Sequence, residues 1–245
     1  MILFLTSHIG GSYKEDGIRI PTRLCEDNEL LKNLQERWKN NTNVLIVGGA
    51  ANDISTNDSI KNIFSKAFEM SGLSIGKMSV CDERNIRVLD VINNYDVIIL
   101  AGGHVPTQNN FFSEINLKQH LCEFKGIVIG ISAGSMNCAE VVYAQPEYEG
   151  ESIDKEYQRF INGLGITKYN ILPHYQDIKD DIIDGKRLFE DITYGDSFGK
   201  QFFALEDGSY ILIEDNKAII YGTAYIIADG KIMQICEEGK SKCLI

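Results

Sequence analysis

Four short apolar runs, each stopping at a turn of small residues, constrain this chain more than any other feature. Residues 2–5 end in Thr6-Ser7, residues 44–47 in Gly48-Gly49, Val97–Leu100 in Ala101-Gly102-Gly103, and residues 127–129 in Gly130-Ile131-Ser132. A strand with one wet face alternates apolar and polar residues, whereas a strand covered on both faces reads as an unbroken apolar run. These runs are unbroken. Between them lie stretches with apolar residues at helical spacing. Residues 29–38 place Leu30, Leu31, Leu34 and Trp38 on one face, and residues 59–70 do the same with Ile60, Ile63, Phe64, Ala67 and Phe68. A shorter helix is expected over 86–92 and another within 110–123.

Strands alternating with helices predict an α/β fold with a doubly wound, mostly parallel sheet and helices on both faces. From about Gln201 the texture changes. Strand-like runs at 202–205, 210–213, 218–221, 224–227 and 232–235 are separated by Asp207-Gly208, Glu214-Asp215-Asn216 and Asp229-Gly230. This spacing predicts a C-terminal antiparallel meander. With 245 residues, no internal repeat and no linker, one domain over residues 1–245 is expected. Open α/β sheets bind ligands beyond the carboxyl ends of their strands. The glycine-rich ends of the second, third and fourth runs should therefore lie side by side along one edge.

Charge narrows the functional classes. The net charge is -11, with 35 acidic against 24 basic residues, so there is no basic excess to neutralise nucleic-acid phosphates or an anionic membrane. No apolar run approaches the length of a membrane span. The N-terminus lacks the basic region and long apolar core of a signal peptide. The six cysteines, Cys25, Cys81, Cys122, Cys138, Cys236 and Cys243, form no C-x-x-C pair. They read as reduced thiols, and a cytoplasmic location is expected. The four histidines are scattered, with no H-E-x-x-H or Cys/His cluster, so neither a metal nor another cofactor is expected. Val47-Gly48-Gly49-Ala50 is neither G-x-G-x-x-G nor a P-loop.

Gly130-Ile131-Ser132-Ala133-Gly134 matches G-x-S-x-G, follows a strand pattern and precedes a helix-compatible stretch, 136–142. That is the setting of a nucleophile elbow, in which small neighbours tolerate the strained backbone of the serine. The N–H of Ala133, at a helix start, would face a developing oxyanion. A second donor is available at Gly102 or Gly103, where glycine permits close approach to substrate. A serine nucleophile needs a base. Of His8, His104, His120 and His174, only His174 follows Ser132, in Ile171-Leu172-Pro173-His174-Tyr175, and Pro173 stiffens its turn. His104 and His8 end apolar runs and are placed to face the site; His120 is placed on a helix surface. Asp207, in Glu206-Asp207-Gly208, closes one strand and opens a turn, which makes it a candidate to orient His174. The order Ser…His…Asp differs from the Ser…Asp…His of α/β-hydrolases.

Strand-Gly-x-Ser-Ala-Gly, Leu-Pro-His-Tyr and Leu-Glu-Asp-Gly together resemble the dipeptidase E and cyanophycinase family of serine peptidases, from the first strand to about Ile213. The resemblance implies a flavodoxin-like sheet related to class I glutamine amidotransferases, with serine in place of their cysteine, and a Ser–His–acid triad. Ser132 and His174 carry over directly. Asp207 matches the acid before glycine; many relatives have glutamate there, so Glu206 is a rival. The family also gives a role to an acid about fifteen residues after the nucleophile, where Glu147 falls, suited to pairing a substrate α-amino group. His104 departs from the Gly-Asn that commonly ends the family's oxyanion loop. One branch of the family cleaves after an N-terminal aspartate and the other a β-linked aspartyl-arginine polymer; the length here is closer to the first. Lys186 and Arg187 are candidate cations for an aspartyl side chain, or part of a solvated helix face. The implied partner is a small peptide, and the implied state a monomer or homodimer. Hydrolysis of another amide or isopeptide, or small-ligand binding without catalysis, are the alternatives.

Overall fold

The apolar runs become strands because each buries both of its faces. In the computed structural model, which describes residues 1–244, alternate residues of every run enter opposite layers of core: Leu3 and Leu5 against Phe4, Leu45 and Val47 against Val44 and Ile46, Ile98 and Leu100 against Val97 and Ile99. Burying each such side chain contributes roughly 1.5–3 kcal/mol relative to leaving it exposed.

In chain order, β1 (Ile2–Thr6) leads into a hairpin, β2 (Gly10–Glu15) and β3 (Ile18–Leu24), then α1 (Leu30–Gln35), β4 (Thr42–Val47), α2 (Ile54–Met70), β5 (Ile75–Cys81), β6 (Val97–Leu100), α3 (Val105–Glu114), α4 (Leu117–Cys122), β7 (Ile127–Ile131) and α5 (Ala133–Met136). A more irregular stretch carries β8 (Val141–Tyr143), β9 (Phe160–Asn162), β10 (Asn170–Leu172), α6 (Tyr175–Ile178), β11 (Ile182–Ile183), β12 (Lys186–Arg187) and α7 (Tyr194–Asp196). The chain closes with β13 (Gln201–Leu205), β14 (Tyr210–Glu214), β15 (Lys217–Tyr221), β16 (Ala224–Ala228), β17 (Lys231–Cys236) and β18 (Ser241–Leu244).

The central sheet has eight strands in the order β18-β15-β14-β1-β7-β6-β4-β5. β1, β7, β6, β4 and β5 run parallel, and β14, β15 and β18 extend the sheet antiparallel. The C-terminal antiparallel strands are shared between two sheets. β13, β16 and β17 join β10 in a second sheet of four strands, order β10-β13-β16-β17. Within it β10 and β13 are parallel, with Leu172 beside Ala204, so the residues after both strands emerge at the same end.

Several boundaries differ from the pattern-based expectation. The helix expected at 59–70 starts at Ile54, because the Asp53 carboxylate caps it by accepting from the Thr56 N–H at 3.1 Å. The stretch 86–92 is a 3-10 helix, and 110–123 holds two helices broken at Asn116, whose φ of 50° lies in the left-handed region. The helix expected over 136–142 stops at Met136, and the β-branched pair Val141-Val142 enters β8. The β2–β3 hairpin escapes the hydrophobic pattern because, of its strand residues, Gly11 and Leu24 alone are buried.

Candidate active site

The carboxyl ends of β4, β6 and β7 adjoin, as expected for the glycine turns. A Cβ on Gly49 would lie 2.2 Å from the Gly102 carbonyl oxygen, and one on Gly102 would lie 3.5 Å from Ser132 Cβ. The elbow itself shows why its glycines are needed. A Cβ on Gly130 would stand 2.7 Å from Ser135 Cα, and one on Gly134 would stand 2.2 Å from the Leu100 carbonyl oxygen. Helix α5 can fold back onto the ends of β7 and β6 only without those side chains. Ser132 sits between them at φ 52°, ψ -117°, a conformation that costs about 1–3 kcal/mol for a residue with a side chain. It is held there by its N–H, which donates to the Thr6 carbonyl at 3.1 Å, and by the Ser135 hydroxyl, which donates to the same carbonyl at 2.8 Å.

Ser132 and His174 meet: Ser132 Oγ is 3.0 Å from His174 Nε2. On the other side of the ring, His174 Nδ1 is 2.7 Å from Asp207 Oδ1. The parallel β10–β13 pairing explains how residues 33 apart converge, since His174 and Asp207 leave the same end of the second sheet. His174 takes the left-handed conformation, φ 58°, ψ 29°, immediately after Pro173. Partial burial opposes the charge on Asp207, but hydrogen bonds from His174 and Ser7 outweigh it and hold the carboxyl below its ordinary range. An ionised Asp207 accepts from Nδ1–H, which leaves Nε2 as the acceptor for the Ser132 hydroxyl.

Ser7, fully buried at the end of β1, ties this pair together and has no signature in the sequence. Its hydroxyl donates to Asp207 Oδ1 at 2.7 Å and accepts from the His174 backbone N–H at 2.8 Å. Gln176 adds a second brace, its Oε1 accepting from the Asp207 N–H at 3.0 Å. Ser7 and Asp207 are 200 residues apart, and the pairing of β14 with β1 brings their two strand ends together.

Of the rival acids, Glu206 turns away and accepts from the Tyr225 hydroxyl at 3.1 Å. Glu147 lines a small cavity with Ser132, Ala133, Gln145, Pro173 and His174. Burial of its carboxyl raises its pKa above the ordinary value; His104 pulls the other way and Glu151 reinforces the rise. His104 lines neither cavity at Ser132. Its Nε2 is 2.8 Å from Glu151 Oε1, its Nδ1 is 2.8 Å from Thr107 Oγ1, and its ring packs on Tyr148. His8 does reach the site, 6.4 Å ring to ring from His174, and burial lowers its pKa. Lys186 and Arg187 form a short strand instead of a helix face and line neither cavity. Arg187 is engaged by Asp191 at 2.6 Å, and Lys186 donates to the Ser152 carbonyl.

Two further features bear on chemistry. Ala133 opens α5, so its N–H has no partner within the helix, and among the described residues the N–H groups of Gly102 and Gly103 donate to no backbone carbonyl. His174, Asp177 and Asp207 bring ligand atoms within 4.8 Å of one another, but two of those groups are already bonded to each other. Among the described residues, no helix is long and apolar enough to cross a membrane.

A strained serine at the carboxyl edge of a doubly wound sheet, in hydrogen-bonding reach of an imidazole that an aspartate holds, defines a serine hydrolase. The comparisons with known proteins give the family. A family model described as Peptidase family S51 matches residues 23–221, most of the chain, and the chain belongs to that family of serine-type peptidases. The crystal structure of a candidate peptidase E from Listeria monocytogenes EGD-e is similar in fold, with a TM-score of 0.56 and 16% identity over 89% of this chain and 96% of that one. No curated protein matches the chain.

Proposed function

We propose that the chain hydrolyses short peptides, dipeptides with an N-terminal aspartate first among them, through Ser132, His174 and Asp207. The observation that carries this reading is the unbroken hydrogen-bonded chain from Ser132 Oγ through His174 to Asp207, at 3.0 and 2.7 Å. His174 Nε2 takes the hydroxyl proton as Ser132 attacks the peptide carbonyl. The Ala133 N–H and that of Gly102 or Gly103 hold the oxyanion. His174 then hands its proton to the leaving amine, and the acyl-enzyme forms. A water molecule, deprotonated by His174, releases the first residue and restores Ser132. Asp207 keeps the imidazole in the tautomer this requires and stabilises its cation. Glu147, in the cavity beside Ala133, pairs with the substrate α-amino group and so selects for a free N-terminus.

The test is a panel of N-terminal aspartyl dipeptides, wild type beside Ser132→Ala. Free aspartate released by the wild type alone supports the nucleophile and the substrate class. Hydrolysis surviving in Ser132→Ala overturns the mechanism. A wild type that cleaves other amides but no aspartyl peptide overturns the substrate class and leaves the triad standing.

A further inference from the structure

Resting on the peptidase reading above, we propose that Arg19, on the β2–β3 hairpin, binds the C-terminal carboxylate of a dipeptide substrate and so sets the enzyme's preference for substrates of that length.

Two cavities meet at the nucleophile, sharing Gly103, Ser132 and His174. The smaller holds Glu147. The larger, about 390 Å3, lies towards the hairpin and α2, and Arg19 is on its wall with Ile60, Ile63 and Phe64. A zwitterionic dipeptide carries its ammonium on one side of the scissile carbonyl and its carboxylate on the other. A carboxylate beyond one side of Ser132 and a guanidinium beyond the other match that polarity end to end.

Arg19 is also free to serve. The other arginines of this acidic chain are mostly engaged: Arg23 with Glu26, Arg37 with Glu214, Arg84 with Asp58 and Asp82, Arg159 with Asp196, and Arg187 with Asp191. Among the described residues, the contact made by the Arg19 guanidinium is a weak one, Nη1 to Ser12 Oγ at 3.4 Å, and no carboxylate pairs with it. A planar guanidinium with open donors is matched to a carboxylate fork. His8, beside it in the cavity, is kept towards its neutral form by burial and adds no fixed charge of its own. The isoleucine and phenylalanine side chains of α2 supply an apolar wall for the side chain of the leaving residue. Arg19 stands on the β2–β3 hairpin, a separate two-stranded sheet outside the eight-stranded sheet that carries Ser132.

Calorimetric titration in the Ser132→Ala background, with aspartyl-leucine and with its C-terminal amide, decides the matter. Adding Arg19→Gln is expected to weaken aspartyl-leucine about tenfold or more. The amide is expected to bind as weakly as that double variant and to lose nothing further when Arg19 is changed. Arg19→Lys should recover part of the affinity, and unchanged thermal midpoints would show that the exposed hairpin still folds. Equal losses on acid and amide would mean that Arg19 reads the aspartyl side chain, which overturns the assignment. Unchanged binding of aspartyl-leucine in Arg19→Gln, or no binding of it to either protein, overturns it outright. Turnover by the wild type is read separately: Arg19-dependent binding without hydrolysis would sink the peptidase reading and leave this one intact.

Discussion

One side of the Ser132 cleft is made from the ends of β1, β7, β10 and β13, whose backbones are fixed by sheet hydrogen bonds. The opposite side is made by the β2–β3 hairpin and one face of α2, and of the hairpin's strand residues Gly11 and Leu24 alone are buried. The first side braces the Ser132–His174–Asp207 chain from behind: Ser7 bonds both the His174 backbone N–H and the Asp207 carboxylate. The second offers an arginine with open donors. The difference separates two tasks. Chemistry needs atoms held to within a fraction of an ångström, which sheet ends provide. Selectivity tolerates a looser element that yields to the substrate. Substitutions on the first side should therefore lower kcat, and those of Arg19 and Glu147, set back from Ser132 in the flanking cavities, should raise KM.

The largest effect is expected from Ser132→Ala or His174→Ala. Each should lower kcat by about 10⁴ or more on aspartyl dipeptides, and the double variant should be little worse than either, since the two act as one unit. Additive losses in that double variant would separate the residues and undo the proposed chain. Asp207→Asn should cost about 10²- to 10⁴-fold in kcat. Glu206→Gln should cost almost nothing, because its carboxylate serves Tyr225. Reversal of that order would transfer the orienting role to Glu206.

A milder loss, about 10-fold to 100-fold in kcat, is expected from Ser7→Ala, with KM nearly unchanged, because a positioning contact is lost while the reacting atoms remain. A loss confined to KM would place Ser7 on the substrate instead. The smallest effect concerns Glu147→Gln, which should raise KM several-fold and leave kcat within about twofold. Its pH dependence follows from the raised pKa. The free carboxyl stays protonated to a pH above its ordinary 4.5, whereas a bound ammonium favours the ionised form. Affinity should accordingly increase as pH rises through that window, and steady-state KM against pH should flatten in Glu147→Gln.

The legible parts of this molecule were those in which local sequence and tertiary role coincide. Unbroken apolar runs announced the parallel strands because both faces are buried. Gly130 and Gly134 announced the elbow because no side chain fits at either place. His174 and the Glu206-Asp207 turn were legible as candidates, but choosing between the two acids depended on the direction of a side chain at a strand end, which no local pattern encodes. Ser7 and Gln176 were illegible for a different reason. Each is an ordinary polar residue until a distant strand or turn arrives beside it, 200 residues away in the case of Ser7 and Asp207. The irregular stretch between β8 and β13 has little periodicity to read; there Lys186 and Arg187 turned out to be tied up locally rather than turned to the cavity.

The most direct measurement is peptide mapping after inactivation with a fluorophosphonate. The account predicts one covalent adduct on Ser132, formed at a rate that falls sharply in His174→Ala and in Asp207→Asn. Full peptidase activity after exposure to the reagent, or an adduct on a residue other than Ser132 that accompanies loss of activity, would contradict it.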